Sequence, residues 1–264
     1  MRARVKLLLN RKAFLFLLLG YFVVSCRPSA AQAQMPGMPA TQFSLPQKQT
    51  LNYSVDWRVF PAGTATFHLQ AEGDRERVIA TAASVDAVSL LFPVADRYEG
   101  IFNRRTGCSY EYQKQIQEGH RRLTGELKMD YTQHTQTFRE KNLVSGIAKQ
   151  QSAPIPGCVT DVLSGIFYLA TQPLHPGNDV SFPLADAGRV VNVTVKVEAH
   201  EQVNTPAGTY STVRVKPTAD AGVVKNRGDI WIWYTDDARH LPVQVRAHLF
   251  WGTITMRLTS ATNQ

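Results

Sequence analysis

The sequence predicts a mainly β protein: a curled antiparallel sheet or β-barrel-like domain with one substantial helix at about 159–171. Three observations predict it. Beyond residue 50 most of the chain alternates apolar and polar residues with period two, as strands with one buried face do. One stretch, IPGCVTDVLSGIFYLATQPLHPG at 155–177, breaks the pattern. There Val159, Val162, Leu163, Ile166, Phe167, Leu169 and Ala170 recur at spacings of three and four, the stripe of a helix buried on one side. Finally, about a dozen strands with one apolar face each need that face covered, and curling or closing the sheet does so while removing exposed edges.

Taken in order, Leu51, Tyr53, Val55, Trp57 and Val59 alternate with polar neighbours, and Pro61-Ala62-Gly63 turns the chain into a second arm at 64–71. Strands follow at 77–84, 97–103 and 108–117, then at 123–131 and 135–141. The apolar run 87–94 fits no assignment, and Pro93 argues against a central strand. A polar loop through Gln151 is expected to lead to the helix. Thr160 or Asp161 can cap its start, and Pro173, Pro176 and Gly177 end it. Strands resume at 179–184. Val191, Val193, Val195 and Val197 give the clearest alternation, and strands at 209–216, 230–235, 241–249 and 253–258 complete the series. Pro-Ala-Gly-Thr occurs at 61–64 and again at 206–209, a repeat that shared turn chemistry explains.

The N-terminus is set apart by composition. Arg2, Arg4, Lys6, Arg11 and Lys12 precede the apolar run 13–24, and small residues follow, as in a secretory signal. Two processing sites compete. Ala31-Gln32-Ala33 would release a soluble chain beginning at Gln34. Val23-Val24-Ser25-Cys26 is similar to a bacterial lipobox, which would leave Cys26 lipidated and make 1–25 the signal. The missing lipobox leucine favours Ala33. The expected organisation is a signal at 1–33, a Pro/Met/Ala/Gln-rich flexible linker at 34–49, and one β domain at 50–264. The formal net charge is +8, but residues 1–33 hold six basic and no acidic residues, leaving the body near +2. Nucleic acid is therefore not an expected partner. Cys108 and Cys158 are the only body cysteines and, in an exported chain, are disulfide candidates.

No catalytic constellation emerges, so no catalytic residue, metal or cofactor is expected. Ser164 lies mid-helix and outside a G-x-S-x-G elbow; His200-Glu201 does not continue as H-E-x-x-H. The seven histidines are dispersed, and none lies three to five residues from another. The most pointed cluster is 228–237. Trp231 and Trp233 share one strand face, and Ile230, Ile232 and Tyr234 share the other. That pattern suits a central core strand covered on both sides, or a Trp-lined pocket. Asp236 and Asp237, with Arg239 nearby, read as a capped turn.

Together these motifs resemble a known family. Tyr53 and Trp57 precede Ala62-Gly63; Asp161-Val162-Leu163-Ser164 runs into Tyr168-Leu169. Thr205-Pro206-Ala207-Gly208-Thr209-Tyr210, Ile230-Trp231, Asp236-Asp237, Leu241-Pro242-Val243 and Gly252-Thr253 follow in that order. Over about 50–260 the chain is similar to bacterial exported proteins of the domain of unknown function 3108 family. The resemblance implies a cell-envelope protein of mainly β structure and transfers no activity, substrate or catalytic residue. The expectation is a non-enzymatic β protein, periplasmic or outer-membrane-associated, meeting a membrane only through a lipid anchor. It would bind an apolar or lipid ligand, or an envelope protein partner, in a pocket lined by Phe167, Tyr168, Trp231 and Trp233. Two alternatives stand beside it: an envelope hydrolase using Asp161 and Ser164 with a distant histidine, and a purely structural envelope protein.

Overall fold

The structure is a computed structural model that describes residues 41–221, 228–250 and 252–263. Its strands are β1 (Lys48–Trp57), β2 (Phe60–Glu72), β3 (Arg75–Ser84), β4 (Ala95–Asn103), β5 (Ser109–Glu118), β6 (Arg121–Asp130), β7 (Thr135–Asn142) and β8 (Ala148–Pro154). After the helical segment come β9 (Val180–Asp186), β10 (Arg189–Thr205), β11 (Gly208–Ala219), β12 (Asp229–Thr235), β13 (Pro242–Leu249) and β14 (Gly252–Asn263). All fourteen form one antiparallel sheet in the order β8-β7-β6-β5-β4-β3-β2-β1-β14-β13-β12-β11-β10-β9. Apart from β8 and β9, which form the two edges, each strand lies beside its chain neighbour, and β1 joins the two runs through β14.

The sheet bends until its two edges approach. Residues 155–161, following β8, run against β9: Thr160 N–H donates to Pro183 O at 3.0 Å, and Ala185 N–H donates to Thr160 O at 2.7 Å. Gln151 on β8 donates to Gly188 O at 3.2 Å. The ladder itself does not close, since β8 and β9 are not hydrogen-bonded neighbours.

Inside the curl lies helix α2 (Val162–Leu169). It is shorter than the expected 159–171 because its cap is Asp161, in extended conformation, which leaves Val159 and Thr160 to pair with the strands. Leu163, Phe167, Tyr168 and Leu169 are buried in the main core with Leu51, Tyr53, Leu69, Val78, Val193, Val213, Val243 and Leu258 from both runs of the sheet. Ring contacts hold it: Phe167 meets Phe67 edge-on at 5.6 Å, and Tyr168 meets Phe182 at 5.3 Å. Cys108 and Cys158 form a disulfide, with Cα atoms 5.0 Å apart, beside the helix entrance.

Two expectations are corrected, and one unassigned run is placed. The run 87–94 contains a short helix, α1 (Asp86–Leu91), placed by its position as the β3–β4 connection. The polar loop through Gln151 is strand β8, whose exposed polar residues suit an edge. The linker expected to end at Gln49 is tied down from residue 41 onward. Gln42 and Phe43 N–H donate to Thr171 O, Phe43 packs edge-on against His240 at 4.6 Å, and Leu45 is buried. Arg104 reaches over this segment and donates to the Leu45 and Pro46 carbonyls.

Because consecutive strands are antiparallel, connections alternate between two ends of the sheet. The turns β1–β2, β5–β6, β7–β8 and β13–β14 and helix α1 share one end, here the upper rim. The turns β4–β5, β6–β7, β10–β11 and β12–β13 share the lower end.

Candidate functional site

The Asp161 carboxylate, buried inside the fold, accepts four hydrogen bonds. One carboxylate oxygen accepts from the N–H groups of Leu163 and Ser164, both at 2.9 Å, as an N-cap should. The other accepts from Ser109 Oγ at 2.7 Å and Ser164 Oγ at 2.6 Å. Asp161 N–H returns a bond to Ser109 Oγ at 2.9 Å. Tyr131 adds its hydroxyl to the Ser109 carbonyl at 2.6 Å. Burial pushes the Asp161 carboxyl up from its ordinary range, against the four donors that favour its charged form. Space for the knot comes from β4: a Cβ at Gly100 would stand 2.7 Å from Ser164 Oγ.

This geometry bears on the hydrolase alternative. A serine nucleophile needs an accessible oxygen and a base to take its proton. Ser164 is 0% exposed, and its hydroxyl donates to Asp161 within a fully buried cluster. The motif clamps the helix start to β5, one residue from Cys108 on the strand side and three from Cys158 on the helix side.

Of the four residues expected to line one pocket, Phe167, Tyr168 and Trp233 are buried in the main core and Trp231 packs against it. Phe167 (1% exposed) and Tyr168 are core residues of α2. Tyr234 on β12 also faces the helix, donating to Ile166 O at 2.8 Å. Trp233, its pleat neighbour, turns to the other face and donates through its indole to Glu201 at 3.0 Å. Arg246 lies over the Trp233 ring at 5.5 Å, and Lys216 over the Trp231 ring at 4.9 Å. Charged side chains thus lie over both indoles. The acidic turn forms as read: Asp237 accepts from Thr235 and from the backbone and guanidinium of Arg239, which hold its carboxyl low, and Asp236 meets His200 at 2.9 Å.

Two open hollows lie elsewhere. One of 560 Å³ is bordered by Tyr110, Met129, Tyr131 and Arg139, and one of 190 Å³ by Lys114, Glu126 and Glu140. Neither touches α2 or Trp231. Among the described residues, no group of three or more His, Cys, Asp or Glu side chains is placed to hold a metal, and no helix is long and apolar enough to cross a membrane.

A feature that sequence reasoning missed lies on the upper rim. Among the described residues ten large apolar side chains are exposed, and all ten are at that end: Trp57, Val59 and Phe60 on the β1–β2 turn, Leu90, Leu91 and Phe92 at α1, Leu143, Val144 and Ile147 on the β7–β8 turn, and Phe250 before β14. Val59, Leu90, Leu91 and Phe250 are 81%, 88%, 86% and 101% exposed. The turns touch in sequence around the rim. Leu143 N–H donates to Arg122 O, Gly119 N–H to Pro93 O, Val85 N–H to Ala62 O, and Arg58 N–H to Thr253 O. The available signal was apolar pairs at turn positions, where Gly, Asn, Asp and Ser are the usual residues.

No curated protein matches the chain in sequence. In structure it is similar to a beta-barrel-like protein of domain of unknown function DUF1849 from Brucella abortus, with a TM-score of 0.56 at 9% identity, covering 84% of this chain and 99% of that one. That likeness is one of fold alone. Weaker likenesses, at TM-scores of 0.39 and 0.36, are to a candidate exported protein with a YmcC-like fold from Bacteroides fragilis NCTC 9343 (10% identity, 85% and 100% covered) and a candidate lipoprotein from Parabacteroides distasonis ATCC 8503 (8% identity, 84% and 99% covered). The sequence match is to the family described as protein of unknown function (DUF3108); it spans residues 52–259, and the chain belongs to that family.

Proposed function

We propose that this is an exported protein of the cell envelope, in the periplasm or held at the outer membrane, that acts by binding rather than by catalysis. Its partner is an apolar or lipidic molecule, or an envelope protein with apolar surface. The observation that carries this reading is the collection of all ten exposed large apolar side chains at one end of the sheet. Scattered single apolar residues need no explanation, whereas a collected set marks an interaction surface. Export is supported by the basic-then-apolar N-terminus and by a disulfide, which persists in oxidising compartments. The binding surface shifts from the pocket expected around Phe167 and Trp231 to the rim, because core packing and charged side chains occupy those rings.

A photo-reactive phenylalanine analogue at Val59, Leu91 or Val144 in cells is expected to yield adducts, protein or lipid, identified by mass spectrometry. Thr132, at the lower end, is the control. Adducts absent from all three rim positions, or as abundant from Thr132, overturn the reading.

A further inference from the structure

We infer that the upper rim is a membrane-contacting surface that inserts its apolar tips into a bilayer carrying anionic lipid headgroups; this rests on the binding reading above. Three observations favour a lipid surface over a protein. The apolar side chains stand on separate turn tips, spread around a rim from β8 to β13, instead of lining one concave groove. A protein partner would need matching relief for each tip, whereas a bilayer deforms around them. The tips carry the residue types that settle at the headgroup–acyl boundary, with Trp57, Phe60, Phe92 and Phe250 beside Leu90, Leu91, Leu143 and Ile147.

Charge gives the second half of the argument. Arg58, Arg122 and Lys141 lie on the same turns or at their strand ends, and none has a carboxylate partner within ion-pair distance among the described residues. Of the carboxylates nearby, Glu118 pairs with Arg121, Glu140 with Lys114 and Lys149, and Asp56, beside Trp57, with Arg257. The rim therefore offers cations without carboxylate partners around apolar tips, the combination that adds electrostatic attraction to interfacial burial.

The test is flotation of the processed chain with vesicles of phosphatidylcholine, alone or mixed with phosphatidylglycerol. Binding to the mixed vesicles is expected to exceed binding to phosphatidylcholine at low salt. The triple variant Leu90→Asp/Leu91→Asp/Val144→Asp should lower vesicle binding by at least about tenfold with an unchanged thermal melt. Arg58→Glu/Lys141→Glu should remove the preference for phosphatidylglycerol. Thr132→Asp should change neither. Failure to bind either vesicle, or binding indifferent to the triple variant, overturns the inference. If vesicle binding fails while rim cross-links to protein persist in cells, lipid is the wrong partner and the binding reading stands. If the rim also cross-links to nothing, both fall.

Discussion

A buried glutamate on β3 and the arginine just after β4 show how much single residues carry here. Glu76 on β3 is 0% exposed, and Arg104 stands 3.2 Å away, yet both carboxylate oxygens and the facing Arg104 nitrogen lack a well-aligned hydrogen bond. Burial outweighs the arginine and pushes the Glu76 carboxyl up to about 7. A carboxyl raised in the fold holds its proton more tightly than in the unfolded chain. Its contribution is fully present below the unfolded value near 4.5 and is lost as pH rises through about 7. Asp96 and Asp161 are raised by burial and act in the same direction, while His240, lowered by burial, acts in the opposite one. Stability should therefore fall between pH 5 and 8 by up to about 3 kcal/mol from Glu76 alone, and Glu76→Gln should flatten that slope in urea titrations. A variant profile parallel to the wild type would remove Glu76 from the account. The glycines give a paired test. Gly100→Ala drives a methyl to 2.7 Å from Ser164 Oγ and should cost about 1–3 kcal/mol. Gly165→Ala meets neighbours only at 3.5 Å and beyond, and should stabilise α2 by about 0.5–1 kcal/mol. Equal effects at the two sites would show that the clamp tolerates intrusion.

At the scale of elements, α2 is a short helix whose position is enforced from three directions. Its start is held by Asp161 and the Cys108–Cys158 bond, its middle by Tyr234, and its end by the docked segment at Gln42 and Phe43. Eight residues are too few for a stable helix in isolation, so these contacts decide that it forms. The disulfide closes a loop of sequence separation 50. Reduction should lower unfolding free energy by up to about 4 kcal/mol in the chain-entropy model, measured as a lower denaturation midpoint. Unchanged stability on reduction would mean that the Asp161 knot holds the helix entrance by itself. The same burial decides what Phe167→Asp would do. At 1% exposure, an aspartate there would place a carboxylate in the main core and unfold the domain.

For the whole molecule, the alternation of apolar and polar residues from Leu51 onward made the strands legible. The three-and-four spacing at 159–170 did the same for the helix, and the two body cysteines for the disulfide. These are properties of local period and residue type, which the chain carries wherever it goes. The β8 edge was not legible, because an exposed edge strand has no buried face to impose alternation. The positions of Trp231 and Trp233 were half legible. Their shared face followed from period two, but that Tyr234, on the other face, is the one that meets the helix depends on which way the sheet curls. The rim was invisible for a related reason. Leu90, Leu91, Val144 and Phe250 are far apart in sequence, and only the strand order β8 to β1 to β14 brings their turns to one end. The sequence by itself determined the strands, the helix and its capping residue pair, and the family. The tertiary structure alone decided that Asp161 and Ser164 are sealed inside and that ten apolar side chains are presented outside, since burial depends on what the folded sheet encloses and not on the residues' own chemistry.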